Sequence, residues 1–549
     1  MKQIFSFFSR KQATIGSAAF VLMSMVLASR VLGLFRDRLL ASYFSPDELG
    51  VYFAAFRVPN MIFELLVMGA LTSAFIPVFT KYKSEHGESG AWHMTSSLIN
   101  VSLVAFALFA LPFFLWTREI SRFLAPGFSP VELEQMVVFT RFMMVGQVIP
   151  LLIGNFFTGI LQSYNLFLIP AIAPVVYNIG IIIGTIILYP AFGLFAPVYG
   201  VGIGALFFML IQIPLLFSIG FRYKAVLDVK NHGVREVGRL MAPRTLGLAI
   251  SQIDTTVDLM LASILGAKMV TVFNFAQHLQ QLPIGLFGAT IAQAALPSLS
   301  QSSVNENKEQ FRQAIISSLH QVFFFVFPST VFFIVLRIPI VRLVFGASRF
   351  DWEATSLTGL TLAAFSVSLF AQAAVHVLAR GFYALYDTKT PVVIGVICIV
   401  VNSLLSLYFI QFLGYPVWSL GVSTSVASII NGILLFWYLN KKLTGISTFE
   451  FYTPTIKMFI VSVITGVMLY IPLKLLDQLV FDTTRAFPLF FLTGVVGGIG
   501  TLTYIFLSWV FGITQVQSVF AFIQRMKKPL VFLEPASEAV DAGIQDTIS

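Results

Sequence analysis

AIAPVVYNIGIIIGTIILYP, residues 171–190, contains no charged side chain. As an α-helix rising about 1.5 Å per residue it reaches across the roughly 30 Å hydrocarbon core of a bilayer. Comparable apolar runs recur along the whole 549-residue chain, of which 57% is hydrophobic and only 11% charged, with a mean hydropathy of +0.87. Charges that sparse cannot cover a water-soluble globule, so lipid is the main solvent. No sizeable extramembrane domain fits between the runs. The expected fold is an all-α polytopic membrane protein of about 14 transmembrane helices.

Basic residues orient those helices. Lys2, Arg10 and Lys11 precede the first apolar stretch, which runs on through Ala28-Ser29-Arg30 without a cleavage-like break and reads as an uncleaved helix. With the N-terminus in the cytoplasm, most of the 34 Lys and Arg fall in cytoplasmic segments. An even number of spans then places both termini on the cytoplasmic side of the inner membrane. The densest basic stretch, Arg222 to Arg244, joins the sixth and seventh spans and reads as a cytoplasmic linker, with contact to anionic lipid as its functional alternative. Basic loops of this kind account for the net charge of +9 without nucleic acid as a partner. After the last span, Val516, Val519, Phe520 and Ile523 share one helical face ahead of Arg525, Lys527 and Lys528, an interfacial pattern. Glu534 to Ser549 is polar and reads as a disordered tail. The lone Cys398 excludes an intramolecular disulfide and a cysteine metal cluster.

The chain also repeats itself. Leu40-Ala41-Ser42 matches Leu261-Ala262-Ser263 at an offset of 221, which also pairs Asp37 with Asp258, Val51 with Val272 and Arg57 with His278. Ala74-Phe75-Ile76-Pro77 corresponds to Ala294-Ala295-Leu296-Pro297 one residue out of step, and Gly159 and Tyr164 to Gly381 and Tyr386. Three matches at nearly one offset indicate two related halves, a common transporter plan. The expected organisation is two pseudo-symmetric six-helix lobes, residues 1–220 and 238–440, joined by the basic linker 221–237. Two additional helices follow over 441–511, then the interfacial helix and tail over 512–549.

Charged residues inside the spans mark the candidate site, because each costs a few kcal/mol or more at mid-bilayer. The first span holds Arg30, Arg36, Asp37 and Arg38, and the second holds Arg57 beside Pro59, with Glu64 on nearly the same face. Arg36 and Asp37 can form an ion pair that serves the fold alone. Arg30 and Arg57 lack obvious partners nearby in sequence, and guanidinium groups in a cavity suit phosphate, whose oxygens they bind bidentately. In the second lobe the complement changes to Asp254, Asp258 and His278, so the cavity is expected to be cationic on one side and acidic or titratable on the other. His278 also fits a plain helix-packing role. Arg141 either reaches this cavity or snorkels outward. Asn402 and Ser423 or Thr424 can join Asp254 or Asp258 in holding a small cation through oxygen ligands.

At these residues a family resemblance becomes specific. Ser29-Arg30-Val31-Leu32-Gly33-Leu34-Phe35-Arg36-Asp37, Phe53-Ala54-Ala55-Phe56-Arg57-Val58-Pro59-Asn60 and Gly69-Ala70-Leu71-Thr72-Ser73-Ala74-Phe75-Ile76-Pro77 resemble the MurJ (MviN) lipid II flippases, within the multidrug/oligosaccharidyl-lipid/polysaccharide exporter superfamily. Further similar stretches are Pro170-Ala171-Ile172-Ala173-Pro174 and Asp387-Thr388-Lys389-Thr390-Pro391. The resemblance covers roughly residues 15–440. It implies two six-helix bundles around a cationic cavity, moving an undecaprenyl-diphosphate-linked peptidoglycan precursor outward by alternating access. Arg30, Arg36, Asp37 and Arg57 match family cavity positions, with Arg57 standing where some members have lysine. This chain departs from the pattern at Gly50, where aspartate is common, and at Phe63 and His278, where arginine is common. Glu64 and Met68 replace an arginine and a glutamate.

The expected function is therefore a lipid II flippase, with a flippase for another polyprenyl-diphosphate-linked glycan as the alternative and a cation-coupled drug exporter as a weaker one. The arginines of the first lobe argue against cationic drugs. An enzyme would need carboxylates, histidines or a metal site on a substantial extramembrane loop, and Asp351 with Glu353 is only a carboxylate pair on a mixed-charge loop. There is no Walker loop for ATP. No cofactor is expected beyond a coupling cation, sodium or proton. The expected partners are the lipid-linked glycan precursor, the bilayer and, as a candidate, the cell-wall synthesis machinery.

Overall fold

The computed structural model describes residues 15–68, 74–304, 307–443, 448–479 and 485–517, and among these every regular element is a helix. The first lobe contains α1 (Ile15–Tyr43), α2 (Pro46–Ala55), α3 (Arg57–Phe63), a π-helical turn (Glu64–Met68), α4 (Ile76–Leu115), α5 (Thr117–Leu124), α6 (Pro130–Gly146), α7 (Val148–Ser163), α8 (Leu168–Phe192), α9 (Phe195–Leu210) and α10 (Ile213–Ser218). The second contains α11 (His232–Ile264), α12 (Ala267–Pro283), a π-helical turn (Ile284–Ala289), α13 (Thr290–Val304), α14 (Lys308–Val335), α15 (Arg337–Phe345), α16 (Trp352–Ser366), α17 (Leu369–Ala384), α18 (Lys389–Leu407), a third π-helical turn (Tyr408–Phe412) and α19 (Trp418–Lys442). Helices α20 (Thr448–Leu479) and α21 (Ala486–Val510) follow as an accessory pair.

Among the described residues, 11 helical segments are long and apolar enough to cross a membrane, or 12 when α16 and α17, bent by 45°, count as one broken span. The expected fourteen is not reached on that criterion. Helices α1 and α11, 29 and 33 residues long, are the two expected spans outside that set.

The two lobes repeat in detail. Among the described residues, Asn165 and Tyr386 are the non-glycine residues with positive φ, 61° and 56°, and they stand 221 positions apart. Each closes a helix the same way: Leu166 donates to the carbonyl of Leu161, and Asp387 to that of Phe382. This bond from the residue after a left-handed cap satisfies a helix-end carbonyl. The π-helical turns at 64–68 and 284–289 also correspond.

Within the first lobe, α8 and α9 pack on small residues. A Cβ at Gly180 would lie 2.4 Å from Gly204 Cα, and one at Gly184 2.6 Å from Gly200 Cα, so the two backbones touch. In lipid such close van der Waals contact drives helix pairing, since burying apolar surface gains nothing there. The opposite faces, including Ile183, Ile186 and Ile187, point outward to lipid.

The start of α11 overlaps the expected linker, 221–237. Asn231 caps α11 by accepting from the Gly233 and Val234 amides, so the helix begins at His232 and runs without interruption into the seventh span. Tyr223 and Asn100 hydrogen-bond at 2.6 Å, and Asn100 donates to the Val226 carbonyl, pinning the preceding segment to α4. The interfacial helix and tail expected over 512–549 lie outside the described residues from position 518 onward.

Candidate functional site

The site begins with neighbours on α1. Arg36 curls back to give Asp37 Oδ1 two bonds, from Nε at 3.0 Å and Nη2 at 2.8 Å, and its Nη1 donates to Asn178 Oδ1 on α8. Asp37 is 1% exposed, and its other oxygen lies 2.8 Å from His278 Nδ1 on α12. One carboxylate thus joins an arginine of its own lobe to a histidine of the other. The ion pair expected from sequence is present, and Arg36 still lines the cavity between the lobes.

Arg57 is positioned by a broken helix. Pro59 has no N–H, so the Ala55 carbonyl four residues earlier loses its helical donor. Thr140 of α6 supplies one from Oγ1 at 3.2 Å, and the chain breaks at Phe56 between α2 and α3. The break aims Arg57 across the lobe boundary. It donates from Nε and Nη2 to Thr256 Oγ1 at 2.9 and 2.8 Å, and from Nη2 to the Gln252 carbonyl. Its partners come from α11, 195 or more residues away, and so lie far from it in sequence. Glu64 and Asp258 offset its charge, and Gln252 turns its side-chain amide to Glu64.

Between these groups lies a cavity of about 520 Å³ lined by Arg36, Arg57, Glu64 and His278, with Tyr52, Gln147 and Tyr177 among the other walls. Arg30 sits elsewhere. It lies six residues, about 9 Å, nearer the linker end of α1, and its guanidinium covers Gly285, where a Cβ would come within 2.9 Å of Nη2. Among the described residues it makes no hydrogen bond, which leaves its donors open. Arg141 does not reach the cavity: it contacts Thr117 at 3.4 Å and covers the Phe114 ring.

The expected cluster of Asp254, Asp258 and His278 is divided. His278 belongs to Asp37, while Asn402 of α18 donates to Asp254 at 2.9 Å and to Asp258 at 3.3 Å. A separate recess of about 150 Å³ opens beside Asp254, lined by Asn402, Thr424, Ser428 and Asn431. The Oδ1 atoms of Asn402 and Asn431 are buried with no hydrogen-bond partner. Ser423 is turned away toward Ser406. Among the described residues no group of three His, Cys, Asp or Glu could hold a metal. The recess instead offers the Asp254 carboxylate with amide and hydroxyl oxygens, the hard donors that hard cations prefer.

The end of the bundle opposite the linker is sealed. A Cβ at Gly50 would lie 1.8 Å from the Ala267 carbonyl oxygen, and one at Gly127 2.0 Å from that of Ser263. No side chain fits at Gly50 in this state, which is a physical reason for its departure from the family's aspartate. Thr271 donates to the Pro46 carbonyl, Phe275 stacks on Phe345 at 4.0 Å, and Lys268 bridges Asp351 and Glu353. The carboxylate pair read as loop surface is half of this latch.

Sequence reasoning missed Asn178, Gln252 and Thr256. Polar residues within apolar runs are the available signal for them, as they are for Asn402 and Thr424.

A family model described as lipid II flippase MurJ matches residues 17–490. Curated relatives include lipid II flippase MurJ of Burkholderia cenocepacia, 26% identical over 77% of this chain and 84% of that protein. The probable lipid II flippase MurJ of Vibrio cholerae is 30% identical over 76% and 81%. A solved structure of lipid II flippase MurJ in an inward closed conformation superposes with a TM-score of 0.73 at 25% identity, covering 90% of this chain and 98% of that one. An inward-facing multidrug resistance MATE transporter of the MOP superfamily shares the fold, with a TM-score of 0.66 at 14% identity.

Proposed function

Since the chain belongs to the MurJ lipid II flippase family, we propose that it translocates lipid-linked peptidoglycan precursor from the cytoplasmic to the outer face of the inner membrane. The observation that carries this reading is the inter-lobe cavity with Arg36 and Arg57 on its walls, sealed at the end opposite the basic linker. Arg30, nearer the linker, meets the diphosphate first, and Arg36 and Arg57 receive it deeper, while the prenyl chain stays in lipid. Rocking of the lobes about the Arg57–Thr256 and Asp37–His278 contacts then opens the Gly50 seal. Both termini lie in the cytoplasm, and the protein acts as a transporter and not as an enzyme. Headgroup accessibility of lipid II in cells depleted of their own flippase tests this. Outward exposure should return when this protein is supplied; no exposure from well-inserted protein would favour another polyprenyl-diphosphate-linked glycan, as the departures at Phe63 and Glu64 allow.

A monovalent cation bound at Asp254, Asp258, Asn402 and Thr424 supplies the coupling in this reading, supported by the unpartnered Asn402 and Asn431 oxygens. Asp254→Asn is expected to remove any sodium-dependent rise in the melting temperature of the purified protein and to slow transport about tenfold or more, the value of one lost charge-assisted contact. An unchanged sodium response would place the ion elsewhere.

A further inference from the structure

We propose that the seam between the second lobe and the accessory helices binds one anionic diacyl phospholipid, its phosphate in a cationic pocket and an acyl chain in the groove beneath. The pocket, about 330 Å³, lies where α14 and α15 meet α20 and α21 at the sealed end of the bundle. Among the described residues, Arg337, Arg342 and Lys474 line it together with one carboxylate, Asp477. That surplus of positive charge matches a phosphodiester and gives a zwitterionic headgroup no advantage. Arg337 is held by a 2.8 Å bond from Nη1 to the Ile334 carbonyl, so its guanidinium is already oriented.

Directly below runs an apolar groove of about 320 Å³ between α14 and α20, formed by Val331, Ile334, Val463 and Val467. Val335 and Tyr470 border both spaces, so headgroup pocket and groove are continuous. The groove's floor is a close crossing: a Cβ at Gly466 would come 2.5 Å from Val331 Cγ1. Tyr470, 53% exposed, stands at the junction, and Trp352, 64% exposed, at the headgroup pocket, as interfacial aromatics do. A free anion would need no groove and a neutral lipid no cations; only a molecule with both parts uses both spaces.

Native mass spectrometry of the full chain, titrated with phosphatidylglycerol, phosphatidylcholine, undecaprenyl phosphate or inorganic phosphate, tests the proposal. One phosphatidylglycerol should be retained in preference to phosphatidylcholine. Arg337→Gln with Lys474→Gln should weaken that retention about tenfold or more, and Val463→Trp, which fills the groove, should weaken it with the cations intact. Arg337→Lys with Lys474→Arg should preserve it and shows that the site tolerates substitution. Equal retention of phosphatidylcholine, no effect of the charge-removing pair, or displacement of phosphatidylglycerol by inorganic phosphate would overturn it. Preferential retention of undecaprenyl phosphate would overturn the choice of occupant in favour of a carrier lipid.

Discussion

Arg57→Ala is expected to abolish rescue of a flippase-depleted cell while leaving the protein in the membrane at normal abundance. Two effects act together. The variant removes the guanidinium that the proposed function sets against the diphosphate, where a bidentate contact of two charge-assisted bonds would be worth roughly 3–6 kcal/mol, on the order of a hundredfold or more in affinity. It also releases Thr256 and the Gln252 carbonyl, so α3 of the first lobe loses its tie to α11. Arg57→Lys separates them: lysine keeps the charge but cannot span both partners. Partial rescue by lysine and none by alanine would assign the main effect to charge. Normal growth with Arg57→Ala would remove Arg57 from the transport mechanism, provided membrane abundance is measured alongside.

The second large effect is expected at Asp37. Its carboxylate is buried between Arg36 and His278, and removing one member of a buried pair commonly costs about 3–5 kcal/mol because the remaining charge is stranded. Asp37→Asn keeps the size and one acceptor, so the loss isolates charge. Arg36 and His278, which each meet a different oxygen of Asp37, are left with one acceptor oxygen and no charge between them, so the tie across the lobe boundary weakens. A melting temperature several degrees lower in detergent and loss of rescue are both expected. His278→Ala measured alone and with Asp37→Asn completes a double-mutant cycle. Additive effects in that cycle would mean that the inter-lobe contact carries no energy of its own, and Asp37 would then serve Arg36 alone.

The departures from the family pattern look different once the packing is known. Gly50 sits where two backbones meet, so its lost carboxylate is a gain of contact at the seal. His278 stands where arginine is common, yet it still meets an anion, Asp37, from the opposite lobe. Glu64 reverses the sign of its position and takes a hydrogen bond from Gln252, beside an arginine it helps to balance. The cavity carries an acidic Glu64 beside Arg36 and Arg57, so under the proposed function those two arginines, with Arg30 nearer the linker, would supply the positive charge for the diphosphate.

Composition and run length alone determined that this is a helical membrane protein, because a chain with so few charges has no other solvent. The near-constant offset of about 221 determined that it has two halves, and residues such as Arg36 and Asp37 had to line or pair within an interior, since lipid tolerates neither. Those are local or periodic properties, readable one window at a time. Which charges meet was decided only by the tertiary structure. Arg57 finds Thr256 at a separation of 199 residues, Asp37 finds His278 at 241, and Asp254 is drawn away from His278 to Asn402. Hydrogen bonds of 3 Å depend on how two lobes dock to within a fraction of an ångström, and that docking is set by backbone contacts at Gly50 and Gly127 and by a proline-broken helix at Phe56. Such contacts leave no periodic trace in the chain, because any apolar pattern that satisfies the bilayer is compatible with many ways of bringing the lobes together.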